Sequence, residues 1–215
     1  MPEKDGLVFE HIRLYLNLMR QKRTGKLGNF ERCARAEDYP ITDAQTADLL
    51  TILCRLKNPK RILEIGTCVG FSAILMSQCC PESEIITIER NKVMSEPAKK
   101  NFIDFEVKNV QLIEGDAAKI IPELSGLFDM VYIDAAKGQY PLFLKQVLPK
   151  LAENGLIAAD NVLFNGYVAL GKEDVRRNKT IVNRLDTFLD MLKNNLELDT
   201  VILPISDGVT ISMKK

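Results

Sequence analysis

The stretch Arg61-Ile62-Leu63-Glu64-Ile65-Gly66-Thr67-Cys68-Val69-Gly70-Phe71-Ser72 constrains this chain more than any other. Its opening residues suit a short buried strand, Pro59 stands just ahead, and an apolar, helix-spaced segment begins at Phe71 after a turn holding two glycines. In that order, the free N–H groups of the helix start lie above the strand end. Gly66 and Gly70, lacking Cβ, let the backbone come close to a ligand there. The spacing meets neither phosphate motif: Cys68 occupies the middle glycine position of Gly-x-Gly-x-x-Gly, and Phe71 follows Gly70 where a P-loop needs lysine. Glu64, the acid before the first glycine, repels a pyrophosphate but accepts hydrogen bonds from an ammonium. That preference points to S-adenosylmethionine, which has a cationic tail and no phosphate; an ordinary tight turn is the alternative.

Residues 84–89, 110–114, 128–134 and 155–161 read as further strands, separated by helical segments over 91–105, 118–124 and 141–151. A helix over 7–19 and one opened by Thr42 or Asp43 and running to Lys57 precede them; a helix over 175–194 follows. Residues 200–205 and 209–213, joined by Ser206-Asp207-Gly208, close the chain as a β-hairpin. Strand alternating with helix at this period predicts an α/β protein: a Rossmann-like, doubly wound seven-stranded sheet, mostly parallel, with helices on both faces and the hairpin pairing antiparallel at one edge. At 215 residues the chain reads as one domain, with residues 1–40 as a helical cap and 41–215 as the core. No apolar run approaches the ~18 residues of a membrane span, so the expected compartment is the cytoplasm. Five cysteines without a Cys-x-x-Cys pair read as reduced thiols, and His11 alone builds no His-metal site.

Ligands of such a fold lie above the carboxyl ends of the strands, and acids gather there. Glu89 closes the second strand 19 positions after Gly70, where a carboxylate grips a ribose diol. Asp134 ends the fourth strand, and Asp160 with Asn161 ends the fifth. Two carboxylates and an amide carbonyl are hard donors suited to Mg²⁺ or a similar divalent cation; each alone is equally a helix cap or turn former. Lys137, three residues after Asp134, is placed either as a general base or as a partner of that acid. Arg176 and Arg177, with Lys179, bring positive charge after the Asn161 loop. Arg20, Lys22, Arg23 and Lys26 read as a solvated helix end or as a rim for an anionic substrate such as RNA, and the zero net charge weakens the second reading.

Thr87-Ile88-Glu89-Arg90-Asn91, Ile133-Asp134-Ala135-Ala136-Lys137-Gly138-Gln139-Tyr140 and Asp160-Asn161-Val162-Leu163-Phe164 resemble the cation-dependent class I O-methyltransferases, the family of the catechol and caffeoyl-coenzyme A enzymes. The middle motif is most similar to the bacterial tRNA 5-hydroxyuridine methyltransferases. The resemblance implies that Thr42, Glu64, Gly66, Thr67, Ser72 and Asp134 line the methionine end of S-adenosylmethionine, that Glu89 holds its ribose and that Ala117 lies beside its adenine. It implies Asp134, Asp160 and Asn161 as metal ligands, Lys137 with Asp134 as the catalytic pair, and Asn165 as a substrate contact. The expected activity is methylation of 5-hydroxyuridine in tRNA, or of a small vicinal diol, by a homodimer.

Overall fold

The computed structural model describes residues 8–170 and 178–215. Two helices, α1 (Glu10–Met19) and α2 (Gly25–Ala36), lead to α3 (Ala44–Lys57). There follow β1 (Arg61–Ile65), α4 (Phe71–Cys79), β2 (Glu84–Glu89), α5 (Lys92–Asp104), β3 (Val110–Glu114), α6 (Ala117–Glu123) and β4 (Phe128–Ile133). The chain ends with α7 (Tyr140–Val147), β5 (Leu151–Ala159), α8 (Tyr167–Leu170), α9 (Lys179–Lys193), β6 (Leu198–Leu203) and β7 (Val209–Lys214). Their order across the single sheet is β3-β2-β1-β4-β5-β7-β6, parallel from β3 to β5 and antiparallel where β7 pairs with β5 and β6. This is the expected seven-stranded architecture. The strand order reverses between β1 and β4, which opens a crevice above their carboxyl ends.

Alternation along the strands divides the core in two. Leu63, Ile65, Val131, Ile133 and Ile157 face α6, α7 and α9, where Phe143, Leu185 and Phe188 are fully buried. Ile62, Ile85, Met130 and Ala158 face α3, α4 and α5, against Leu50, Phe71 and Phe102. Each fully buried Leu or Phe contributes on the order of 1.5–3 kcal/mol. On the second face Thr87, Glu64 and Tyr132 stand at one level of three neighbouring strands, Glu64 in register with both others. A polar row therefore crosses an otherwise apolar layer just beneath the crevice.

Several boundaries differ from the sequence reading for local reasons. Asp43, not Thr42, caps α3 by accepting from the Gln45 N–H at 2.9 Å. Helix α7 stops at Val147 rather than continuing to 151, because Pro149 breaks it into a 3₁₀ turn. Strand β5 starts at Leu151 instead of 155, with an irregular segment around Asn154 before regular pairing resumes at Leu156. The expected helix over 175–194 is described from Lys179 onward.

The N-terminal helices carry the largest surprise. Of the cations after α1, Lys22 is exposed, but Arg20 and Arg23 are drawn into ion pairs in place of a solvated helix end or a free basic rim. Arg20 donates to Asp48 at 2.5 Å, and Arg23 bridges Asp48 at 2.6 Å and Glu31 at 3.3 Å. Arg35 joins Glu31 at 3.0 Å and donates to the Thr42 carbonyl, while Lys26 donates to the Asp104 carbonyl. The lattice ties α2 to α3 and positions the 40–43 segment over the crevice. Helix α1 buries no residue, and Phe9, Leu18 and Met19 are exposed. No helix among the described residues is long and apolar enough to cross a membrane.

Gly66 is fixed by geometry: it sits at φ +104°, and a Cβ there would lie 2.0 Å from the Asp134 carbonyl oxygen. Gly138 has open space around it and an ordinary φ. We therefore expect Gly66→Ala to lower stability by at least about 2 kcal/mol, and Gly138→Ala to stay within about 0.5 kcal/mol of the parent, as read by urea denaturation.

Candidate active site

The sheet ladder continues one residue past each strand and lines up the rim. The N–H of Gly66 donates to the Ile88 carbonyl, that of Asp134 to Ile65, and that of Asp160 to Ile133, at 2.9–3.0 Å. Gly66, Asp134 and Asp160 thus stand side by side above β1, β4 and β5. They border a cleft of about 530 Å³ whose walls include Thr42, Glu89, Ala117, Lys137 and Asn161. Three of its positions hold left-handed backbone. Gly66 does so freely, as does the nearby Gly70, whereas Cys68 at φ +49° and Asn161 at φ +55° carry a side chain in that region, a strain of order 1–3 kcal/mol that concentrates at functional sites.

Under the glycine turn Glu64 is fully buried. Thr87 donates to its Oε2, Ser72 is hydrogen-bonded to it, and Oε1 has no partner among the described residues. Burial pushes its carboxyl up to about 8, the Ser72 and Thr87 hydrogen bonds opposing the rise. Thr67 turns inward, its hydroxyl 2.5 Å from that of Thr87. A smaller hollow beside the turn is lined by Thr42, Gly66, Thr67, Ser72 and Asp134, which brings together the residues assigned to a methionine tail except Glu64, whose side chain is fully buried and lines neither hollow. Glu89 accepts from the Cys68 N–H at 2.8 Å and the Asn91 N–H at 2.7 Å. Two backbone donors orient the carboxylate and leave lone pairs for a diol. Ala117 begins α6 beside Asp116, which caps that helix through the Ala118 N–H.

Asp160 is 1% exposed. Its Oδ1 accepts from the Asn161 N–H at 2.7 Å and its Oδ2 from the Tyr132 hydroxyl at 3.4 Å. Burial, and then the neighbouring Asp134 charge, push its carboxyl up to about 7. Asp134 accepts from the Thr42 hydroxyl at 3.4 Å. Burial raises its proton affinity too, against the opposing pull of Lys137, Thr42 and Tyr132. Lys137 donates to Asn161 Oδ1 at 3.0 Å; its ammonium goes to the amide rather than into an ion pair with Asp134.

No group of three or more His, Cys, Asp or Glu side chains placed to hold a metal ion is found among the described residues. The donor set is therefore two acids and the Asn161 amide, all oxygen. The buried Asp160 and the half-buried Asp134, whose charge raises the proton affinity of Asp160, form a site that fits a hard divalent cation.

Not every expected residue arrives. Asn165 lies in a separate hollow with Arg13, Gln45 and Asp207, its N–H donating to the Asp207 carboxylate. Arg176 and Arg177 lie outside the described residues. Conversely, the sequence reading passed over Tyr132, Asp116, Arg35 and Met94, the last three of which line the cleft. Asp116 had a signal, an acid directly after the Gly115 that ends a strand; Met94 and Arg35 had none.

Comparison with known proteins agrees with this geometry. The profile of the O-methyltransferase family matches residues 26–215. A catechol O-methyltransferase of Niastella koreensis is 34% identical over 179 residues, covering 78% of this chain and 77% of its own. The crystal structure of a candidate caffeoyl-CoA O-methyltransferase from Staphylococcus aureus superimposes with a TM-score of 0.88 at 33% identity, over 96% of this chain and 100% of that one. The methyltransferase PaMTH1 of Podospora anserina does so with a TM-score of 0.85 at 27% identity, over 96% and 94%. With its crevice, its rim of acids and its glycine turn in place, this chain belongs to the O-methyltransferase family.

Proposed function

We propose that this O-methyltransferase moves the methyl group of S-adenosylmethionine onto a hydroxyl beside a second oxygen, that a divalent cation such as Mg²⁺ is required, and that the acceptor is 5-hydroxyuridine in tRNA. The observation that carries the reading is the pair Asp134 and Asp160, both with raised proton affinity, which opens onto the same cleft as Glu89, with Asp134 also bordering the hollow at Gly66, Thr67 and Ser72. The Podospora relative has S-adenosylhomocysteine bound, and a further relative, TomG of Streptomyces achromogenes, has S-adenosylmethionine bound. Asp134, Asp160 and Asn161 would hold the cation, which supplies Lewis acidity that lowers the pKa of the acceptor hydroxyl.

This chain's own residues do the remaining work. Glu64 and the Gly66 turn receive the ammonium tail, and Glu89 accepts from the ribose hydroxyls. The rim fixes the acceptor oxygen in line with the methyl group; such positioning supplies on the order of 7–11 kcal/mol of a barrier. The reaction forms an O–CH₃ bond, breaks the S–CH₃ bond and releases the hydroxyl proton. We assign that proton transfer to Lys137, which donates to Asn161 at the cleft wall and whose charge acts on Asp134. The tRNA assignment is supported by the similarity of residues 133–140 to the tRNA enzymes. A small catechol is the second reading, favoured by the Niastella relative at 34% identity.

Labelled methyl donor offered separately to hydroxylated bulk tRNA and to vicinal diols, with Mg²⁺ or with excess chelator, tests these assignments together. We expect incorporation into tRNA with Mg²⁺ and none with chelator. Label entering diols only would reverse the choice of acceptor, and full activity in chelator would remove the cation. Lys137→Met should lower kcat by about 10²–10⁴ with KM little changed; a fall under tenfold would mean that the proton leaves directly to water.

Glu64 generates a prediction about pH. Its carboxyl holds a proton up to about pH 8 in the fold but only to about 4.3 when unfolded. Between those values the folded state binds more protons, so stability falls as pH rises, by about 1.4 kcal/mol per unit in this window. Asp160 acts in the same direction, so the informative quantity is a difference. The stability of Glu64→Gln relative to the parent should improve steadily from pH 5 to pH 8 in ligand-free urea titrations; a difference independent of pH would mean that Glu64 is ionised throughout.

A further inference from the structure

Tyr132 is the polar side chain that the proposed reaction leaves without a role. It is 1% exposed, with its ring packed in the layer against α3 and α4. Its hydroxyl emerges where three segments meet: 3.3 Å from the Thr42 hydroxyl and 3.4 Å from Asp160 Oδ2. Thr42 in turn donates to Asp134 Oδ2 at 3.4 Å. A hydroxyl has one proton to donate. The Thr42 hydroxyl thus faces Asp134 and the Tyr132 hydroxyl faces Asp160, while the phenol also lies near enough to Asp134 to favour its charged form.

The apolar sequence around position 132 gives no packing reason for a phenol. A phenylalanine would fill the same volume without bringing an O–H into a layer where every unpartnered polar atom is costly. What the oxygen adds is a fixed anchor. Asp160 Oδ1 is held by the N–H of the next residue and Oδ2 by the phenol, so the carboxylate cannot rotate about its last bond without losing one of the two. Such outer partners orient ligating carboxylates.

We propose that Tyr132 is a positioning residue for the cation site: its hydroxyl locks the Asp160 carboxylate at the rim, braced from behind by Thr42. This inference rests on the cation reading given above and adds to it a residue that touches neither cation, cofactor nor acceptor. The structure also contains a matched control. Tyr140 is an equally buried phenol on the opposite face of the sheet, and its hydroxyl donates to the Asp160 backbone carbonyl at 2.9 Å rather than to the carboxylate. Deleting either oxygen removes a buried hydrogen bond to the same residue; only one of them touches the carboxylate.

The test uses the whole chain, with Mn²⁺ as probe, its free concentration read by electron paramagnetic resonance, and S-adenosylhomocysteine binding measured by calorimetry. Tyr132→Phe is expected to weaken Mn²⁺ binding about 5- to 20-fold, to leave S-adenosylhomocysteine binding within twofold, and to raise the cation concentration at half-maximal activity. Tyr140→Phe is expected to lower the melting temperature and to bind Mn²⁺ as the parent does. Equal Mn²⁺ affinities for parent and Tyr132→Phe, or equal losses in the two variants, would overturn the positioning role while leaving the cation reading intact. A parent chain that takes up no Mn²⁺ would overturn both. Melting curves without Mn²⁺ verify folding. If Tyr132→Phe fails to fold, 3-fluorotyrosine incorporated at position 132, which strengthens the phenol as a donor, must shift the Mn²⁺ affinity; an unchanged affinity removes the proposal.

Discussion

The constraint on which the rest of this structure depends is the gathering of acids, largely out of water, at the carboxyl ends of the central strands. Glu64, Asp134 and Asp160 end up close together because β1, β4 and β5 are neighbours in a parallel sheet, and parallel strands deliver their carboxyl ends to the same side. Burial disfavours each charge, and the Asp134 charge disfavours those of Glu64 and Asp160. The surroundings are arranged to limit that penalty without cancelling it. Thr87 and Ser72 turn toward Glu64, Thr42 toward Asp134, and Tyr132 and a backbone N–H toward Asp160. These partners are nearly all neutral donors. Salt-bridging arginines are present elsewhere, in the lattice of Arg20, Arg23 and Arg35, but they are spent on holding α2 against α3. Among the described residues, Arg20, Arg23 and Arg35 are engaged in architecture, and Lys137 is the cation whose charge acts on Asp134 and Asp160.

That division explains what the sequence made legible. The strands and the rim were readable because a parallel sheet writes near-continuous apolar runs that end in turn and cap residues; Ile65-Gly66, Ile133-Asp134 and Ala159-Asp160 mark the places where backbone leaves the ladder. Helix α2 was not readable. Its start at Gly25 lacks a capping side chain, its buried apolar residues are few, and its position comes from ion pairs across 8 to 28 residues of sequence. Tyr132 was invisible for a different reason. In the run Phe128–Ile133 it is one more strand former, and only the register with Glu64 puts its hydroxyl at the level of the polar row. The end of α7 was legible and was overlooked: Pro149 is a local breaker needing no tertiary context.

The site residues divide in the same way. Those at strand ends, Glu89, Asp134, Asp160 and Asn161, follow from topology, because the end of a parallel strand has one destination. Asn165 depended on the path of a loop. That path is set by left-handed backbone at Phe164 and Asn165, and by the Asp207 carboxylate that receives the Asn165 N–H. A bulky residue such as Phe164 in the left-handed region costs on the order of 1–2 kcal/mol, and sequence patterns carry no record of such a choice. The loop consequently directs Asn165 toward the hollow beside Arg13 and Asp207, which shares Asp43 with the cleft.

Charge matching ties these observations to the proposed ligands. Among the described residues three basic and five acidic side chains line the cleft, and Glu64 lies beneath it; with every acid ionised, these side chains carry a formal surplus of three negative charges. S-adenosylmethionine carries an ammonium, a sulfonium and a carboxylate, a net charge of one, and a divalent cation adds two. Each ligand alone leaves the cleft anionic and so improves the site for the other, a favourable coupling that is reciprocal by linkage. The same surplus makes the ligand-free fold less stable than a neutral core of equal size, and ligands that bind only the folded state restore that stability by mass action. An apolar residue at any one of the three buried acids would make a firmer protein and remove part of the electrostatic reason for a cationic ligand to enter.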